Sequence, residues 1–286
     1  MKHDRVIAVL GATGRQGGAV ARHLLADGWQ VLALTRKPDS DASGVLRSAG
    51  ARVAGCDMAD TDSLIRVFDG VYGVYSVQNP MIAGHEGEVR QGKNVAEAAK
   101  ATAVQHLVYG SAGPGLRETG VDSWESKLLV ADYLRSLDVP LTVLRPMAFM
   151  ELMTDKDFYP AVSVWHVMPK LAGEHTLIPW LAVDDLGAIA ARAFAEPAEF
   201  VGAEVPLAAE FCSIDECRRA WAAVRGRSAR GFPMPVRLFE RFVGKDLTTM
   251  WRWLATNHVS ADPAATAKLL GRVTTVGQFL ARSYGS

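Results

Sequence analysis

Gly11-Ala12-Thr13-Gly14-Arg15-Gln16-Gly17 spaces its glycines three apart, directly after an apolar run and before an amphipathic stretch. A strand that ends in such a turn and opens a helix offers an anion the helix's first backbone amides and the positive end of its dipole, which is how a pyrophosphate is received. The first glycine would allow the tight turn and the second would let the backbone approach phosphate. The third, with Gly18, would let the helix pack close to the strand. Glycine triplets also occur as plain strand-to-helix turns, but here the strand, the helix and the N-terminal position agree on a dinucleotide site. All residues of the turn are therefore candidate cofactor contacts. Thr35-Arg36-Lys37 ends the next apolar run, where an NAD site would carry an acidic residue about 20 positions on to accept the ribose hydroxyl. A guanidinium suits a 2′-phosphate instead, so Arg36 and Lys37 point to NADP(H). Two basic residues solvated in a loop are the plain alternative, with Asp39 and Asp41 weakening the local field.

Other chemistries fit poorly. The seven histidines are scattered without metal-ligand spacing, and neither a Ser-His-Asp arrangement nor a pair of carboxylates stands out. Cys56, Cys212 and Cys217 form no Cys-x-x-Cys pair and lie near no histidine cluster. Neither a zinc site nor a disulfide framework is expected, and a reducing cytoplasm fits. Lys plus Arg and Asp plus Glu both total 31, so no net field steers the chain to nucleic acid or an anionic membrane. Met1-Lys-His-Asp-Arg leads into an apolar run too short for a signal segment or a membrane span.

The elements that must position the turn are legible around it. With 49% hydrophobic and 22% charged residues over 286 positions, the chain can bury a full core. Apolar, β-branched runs at Val6–Leu10, Val31–Leu34, Ala51–Ala54, Gly73–Val77, His106–Tyr109 and Leu141–Leu144 read as strands. Stretches of helical period fall between them at Gln16–Asp27, Ser43–Ala49, Asp62–Phe68, Glu86–Ala103 and Trp124–Leu137. Such alternation marks repeated βαβ units. The expected fold is α/β, a doubly wound parallel sheet of Rossmann type with a smaller C-terminal substrate lobe. After Pro146 the rhythm loosens among Trp165, Trp180, Trp221, Trp251 and Trp253. Residues 1–150 read as the NADP(H)-binding domain and 151–286 as the smaller substrate or partner lobe. They are expected to pack as one unit, since no Gly/Ser-rich linker, repeat or low-complexity segment separates them. The aromatic residues of Phe232–Phe242 and of Trp251-Arg-Trp253 would line an apolar pocket or simply fill core.

The glycine turn, Glu86-x-Glu-Val-Arg90-Gln-Gly92-Lys-Asn94, Leu144-Arg-Pro146-Met-Ala-Phe149-Met-Glu151 and Val183-Asp184-Asp185-Leu186-Gly187 together resemble the NmrA-like family, atypical members of the short-chain dehydrogenase/reductase superfamily. The resemblance covers roughly Val6 to Ala191. It implies that Asp57 and Met58 lie near the adenine, that Gln78, Asn79 and Pro80 line the middle and nicotinamide side of the cofactor, and that Arg90 approaches it. Ala148, Phe149, Met150 and Glu151 would border the nicotinamide. Asp57 also reads as a loop aspartate starting a turn before Thr61-Asp62, and Glu151 has an equally ordinary reading.

By the same resemblance the superfamily's Tyr-x-x-x-Lys corresponds to Ser123-Trp-Glu-Ser-Lys127, with the lysine kept and the tyrosine replaced. A serine hydroxyl is too weak an acid to stand in for the phenol, so Ser123 reads as a helix N-cap or its neighbour. Lys127 is then the candidate catalytic and cofactor-binding residue, donating a proton directly or through water. A solvated helix lysine is its plain alternative. Ser111 resembles the serine that orients substrate, yet Ser111-Ala-Gly-Pro-Gly equally reads as a turn. Tyr109 and Tyr133 stay open as acids, beside simple packing roles. Two functions follow from the resemblance. One is an NADP(H)-dependent oxidoreductase reducing a small apolar carbonyl, quinone or alkene compound. The other is a non-catalytic NADP(H) redox sensor that regulates a protein partner such as a transcription factor.

Overall fold

The computed structural model describes residues 4–155, 163–229 and 234–284. Its strands are β1 (Val6–Leu10), β2 (Gln30–Thr35), β3 (Arg52–Gly55), β4 (Gly73–Ser76), β5 (His106–Gly110), β6 (Leu141–Pro146), β7 (Ala148–Phe149), β8 (Ile178–Leu181), β9 (Glu204–Leu207) and β10 (Glu210–Cys212). In the first half the helices are α1 (Arg15–Ala26), α2 (Asp41–Ser48), α3 (Thr61–Phe68), α4 (Pro80–Ala101) and α5 (Asp122–Ser136). Then follow α6 (Met168–Ala172), α7 (Val183–Ala195), α8 (Pro197–Phe200), α9 (Ile214–Arg225), α10 (Val236–Val243), α11 (Lys245–Thr256), α12 (Pro263–Leu270) and α13 (Val276–Tyr284).

A seven-stranded sheet runs in the order β3-β2-β1-β4-β5-β6-β9, and its first six strands pair in parallel. The reversal of strand order at β1 and β4 is the doubly wound arrangement expected from the alternating pattern. β1 is central and covered on both faces, which is why it reads as an unbroken apolar run instead of an alternating one. Ile7, Ala8 and Val9 are fully buried, and Leu10, Leu34, Phe68, Val74, Leu107 and Val143 lie in the core around them. All six expected strands are present, with no end moved by more than two residues. β9 at the sheet edge was not read from the sequence. Nor was the second sheet, β10-β8-β7, whose strands are only two to four residues long.

The chain forms two compact units. The first holds the residues up to Gly115, Ser126–Arg145 and Val183–Val205; the second holds Leu116–Glu125, Pro146–Ala182 and the residues from Pro206 onward. The expected single cut after residue 150 therefore gives way to a chain that passes repeatedly from one to the other. The return is enforced at α7, which packs on α1 within the first unit. A Cβ on Gly187 would come within 2.7 Å of the Ala19 backbone, so the helices approach this closely only because position 187 has no side chain.

In the second unit Trp180 is fully buried in β8 and donates its indole N–H to the Cys212 carbonyl at 2.9 Å. Trp165 meets Trp221 edge-on, Trp124 meets Trp253 edge-on, and Phe239 stacks on Trp251. Most of these aromatics thus build core, while Phe242 stays 74% exposed; Phe232 and Pro233 lie outside the described residues. Among the described residues no helix is long and apolar enough to cross a membrane.

Candidate functional site

The turn after β1 is closed by the Gly14 amide, which donates to the Gly11 carbonyl at 2.8 Å, with Gly11 in the left-handed region at φ +63°. Gly14 occupies the N-cap of α1, no side chain caps the helix, and no acidic residue stands in its first turn. An uncapped helix start without an acidic side chain is the arrangement in which backbone donors and the helix dipole receive an anion. Gly17 is required for a different reason: a Cβ there would lie 2.4 Å from the Gly11 carbonyl oxygen. Ala12 is buried while Thr13 and Gly14 face solvent. The Gln16 carboxamide turns to the sheet, where its oxygen accepts from the Tyr75 hydroxyl at 3.3 Å.

At the end of β2 both Arg36 and Lys37 are exposed, and the Lys37 amide donates to the Thr35 hydroxyl at 3.2 Å. Asp39 is paired with Arg47 at 3.8 Å. Among the described residues no carboxylate pairs with Arg36. After β3, Asp57 is exposed, and its carboxylate accepts from the Ala59 amide at 2.9 Å. It thus performs the turn-starting role of an Asx residue. The Met58 carbonyl accepts from the Asn94 carboxamide at 3.0 Å, and the Gln78 amide approaches the Met58 sulfur at 3.7 Å, so both residues end in one cluster.

Beyond β4, Asn79 caps α4 by accepting from the Met81 amide, Pro80 follows inside the first turn, and Gly84 kinks the helix at φ +71°. α4 therefore begins at Pro80, ahead of the expected Glu86, because cap, proline and kink each satisfy a local backbone requirement. Past the kink its inward stripe is Glu88, Gly92, Val95, Ala96 and Ala99, all buried. Gly92 lets α5 come close, since a Cβ there would meet the Val130 methyls at 2.5 Å. One turn earlier on each helix, Glu88 stands beside Lys127.

There the Lys127 ammonium donates to a Glu88 carboxylate oxygen at 2.9 Å and to the Gln78 carbonyl at 3.3 Å. The other Glu88 oxygen accepts from the Ser126 hydroxyl. Glu88 is fully buried and Lys127 is 6% exposed, so the sequence alternative of a solvated lysine is set aside. Lys127 also lies 5.9 Å from the centre of the Tyr109 ring. Burial first, and the Glu88 charge second, push the Tyr109 phenol well above its ordinary pKa, which makes it a weaker acid than a free tyrosine. The buried Gln78 carboxamide nitrogen donates to Ser76 at 2.8 Å. The Gln78 carboxamide oxygen, the Tyr109 hydroxyl and the Ser111 hydroxyl are buried without a partner among the described residues. Buried polar atoms are rarely left so, and all three sit at or just past the carboxyl ends of β4 and β5, where sheets of this type bind ligands.

Within the first unit, Arg90 and Tyr133 do not join this cluster. Arg90 is exposed; two positions from Glu88 on a helix, it projects from nearly the opposite face. Tyr133 donates its hydroxyl to Glu97 and carries Lys93 over its ring, so that phenol is already engaged. Ala148 and Phe149 form β7 in the second unit, opposite Trp180 and Leu181 of β8, and Met150 and Glu151 open the 3-10 turn that follows. Ser123 does not cap α5. The helix starts one residue before it, with the Trp124 and Glu125 amides bonded to the Val121 carbonyl, and the Ser123 amide donates to Asp246. Glu88 and Ser126 were missed by sequence reasoning. The available signal was a carboxylate on the apolar stripe of α4, where a charge is retained only with a partner.

A sequence profile of the NmrA-like family matches residues 3–280. The NmrA-like family domain-containing oxidoreductase FrzB of Cladobotryum sp is 30% identical over 255 residues, covering 80% of this chain and 76% of FrzB. Among solved structures, that of Citrobacter sp. triphenylmethane reductase complexed with NADP(H) is similar with a TM-score of 0.79 at 18% identity, over 98% of this chain and 99% of that one. The structure of NmrA, a negative transcriptional regulator, in complex with NADP gives 0.76 at 19% identity, over 98% and 95%. At these identities the structural likeness bears on the fold.

Proposed function

The chain belongs to the NmrA-like family, and from that membership we propose that it is an NADP(H)-dependent oxidoreductase that reduces a small apolar carbonyl, quinone or alkene compound. The observation that carries the reading is Lys127. Its ammonium is buried, held by Glu88 and the Gln78 carbonyl, and keeps a third N–H uncommitted among the described residues. Partnerless polar atoms of Gln78, Tyr109 and Ser111 near the same strand ends fit a polar ligand there. The relatives support the reading: FrzB is named an oxidoreductase and triphenylmethane reductase was solved with NADP(H).

In this reading the pyrophosphate sits at the uncapped start of α1, and Arg36 with Lys37 receives the 2′-phosphate. Asp57 and Met58 serve the adenine side, while Gln78, Asn79, Pro80 and Lys127 serve the nicotinamide side. Bound NADPH would supply the hydride. Lys127 then gives a proton to the substrate atom that gains negative charge, directly or through one water, and recovers it from solvent. Glu88 and the Gln78 carbonyl fix the direction of the ammonium while the carboxylate balances its charge in a buried site.

The second reading, a non-catalytic NADP(H) sensor acting on a protein partner, is favoured by Ser123 at the usual tyrosine position, by the raised Tyr109 phenol and by the regulator NmrA among the structural neighbours. Titration with NADPH and NADH, followed by NADPH oxidation against quinones, aldehydes and enones, separates the two. Turnover of any compound supports the oxidoreductase. Tight NADPH binding with no turnover moves the sensor ahead, and failure to bind either nucleotide overturns both.

A further inference from the structure

Cys212 ends β10, and Cys217 lies in the first turns of α9, in the second unit. The Cys217 thiol donates to the Cys212 sulfur at 3.6 Å. The residues between them do not form a loose loop. The Glu216 amide donates to the Ser213 hydroxyl at 3.3 Å while the Glu216 carboxylate accepts from the Ser213 amide at 2.7 Å, a capping box that fixes the start of the helix. On the other side the Cys212 carbonyl is held by the Trp180 indole. Both sulfurs are thus kept facing each other from anchored backbone, and a bond of about 2.0 Å needs them to close by roughly 1.5 Å. Cys217 is fully buried and Cys212 is half-buried, so a small reagent meets Cys212 first. Cys56 is buried in the first unit and supplies an internal control.

We propose that Cys212 and Cys217 form a reversible thiol–disulfide site whose electron acceptor is a low-molecular-weight disulfide such as oxidised glutathione. The Cys212 thiolate attacks one sulfur of the glutathione disulfide, giving a mixed disulfide and releasing one glutathione thiolate. The Cys217 sulfur then attacks Cys212, forming the intrachain bond and expelling the second glutathione, while the two thiol protons end on the released glutathiones. Two protein thiols are oxidised and one glutathione disulfide is reduced. The Cys212 thiol beside it, then burial, then the Glu210 and Glu216 carboxylates raise the Cys217 thiol above its ordinary pKa. That makes the exchange slow.

The test uses the reduced full-length protein equilibrated with glutathione redox mixtures at mildly alkaline pH, acid-quenched, alkylated after denaturation, and read by intact mass and peptide mapping. The expected product has lost two alkylation sites, carries a peptide crosslink between Cys212 and Cys217, retains alkylatable Cys56, and returns to the starting mass with dithiothreitol. Cys217→Ser should instead stop at a single glutathione adduct on Cys212. A wild-type protein that keeps all three thiols alkylatable, or stops at a stable glutathione adduct on Cys212, overturns the proposal. Neither outcome depends on how a variant folds, and neither bears on the nicotinamide reading.

Discussion

The Lys127 ammonium and the Glu88 carboxylate form an ion pair at 2.9 Å with side chains 8% and 0% exposed, across 39 positions of sequence. Burying both charges is costly, and breaking such a pair from one side costs about 3–5 kcal/mol, whereas replacing both members by apolar residues is often close to neutral. Glu88→Leu and Lys127→Met should therefore each destabilise strongly in urea unfolding, and the double variant should be more stable than either. Additive losses would show that the two side chains do not act as a pair.

Lys127→Ala tests the chemistry. Measured at saturating NADPH, turnover of any accepted substrate should fall by about 100-fold or more, the range of a lost general acid. Glu88→Gln should leave NADPH binding within about tenfold but lower turnover, because the ammonium loses the carboxylate that directs it. Turnover unchanged in Lys127→Ala would take the lysine out of the mechanism.

Arg36→Asp addresses the choice of cofactor. Losing a guanidinium contact to phosphate and adding a like charge should weaken NADPH by at least about 2 kcal/mol, roughly 30-fold, with little effect on NADH. Calorimetric titration with both nucleotides reads this directly, and an equal loss for both would rule out the 2′-phosphate role.

Gly17→Ala brings a Cβ to 2.4 Å from the Gly11 carbonyl oxygen, so backbone must move. The expected loss of stability is about 1–3 kcal/mol, together with NADPH affinity, since the amides of α1 are displaced. Gly44→Ala in α2, where nothing lies within 4 Å of the added carbon, should be neutral or mildly stabilising. Thermal melts of the two variants that coincide would contradict the close approach seen at Gly17.

His106 should contribute to the pH dependence of stability. It is fully buried, its Nε2 is bonded to Thr142 at 2.8 Å, and burial lowers its pKa from 6.5 to about 4. Between those values the unfolded chain binds the proton and the folded chain does not. The stability present above pH 6.5 should thus be lost progressively as pH falls toward 4, by as much as about 3 kcal/mol. His106→Gln should flatten that slope in chemical denaturation across the window; an unchanged slope would assign it to other groups.

The sheet, the glycine turn and the basic end of β2 were legible in the chain because each rests on local chemistry. Apolar runs of strand length, a glycine whose neighbour leaves no room for Cβ, and a cation at a strand end are properties of a few consecutive residues. Three further features were decided only by packing. Glu88 meets Lys127 because Gly92 lets α4 and α5 approach at Val130, and no local pattern couples positions 39 apart. Val183–Val205 rejoins the first unit because Gly187 accepts the backbone of Ala19, and β7, β8 and β10 are too short to show a period of their own. Cys212 and Cys217 have an unremarkable spacing until a strand end and a capped helix turn their sulfurs together. The sequence by itself determined the parallel sheet and its glycine turn, since both follow from steric and hydrophobic rules acting over single elements. Tertiary structure decided which buried charges and thiols become neighbours, because that depends on how closely separate helices and strands can approach.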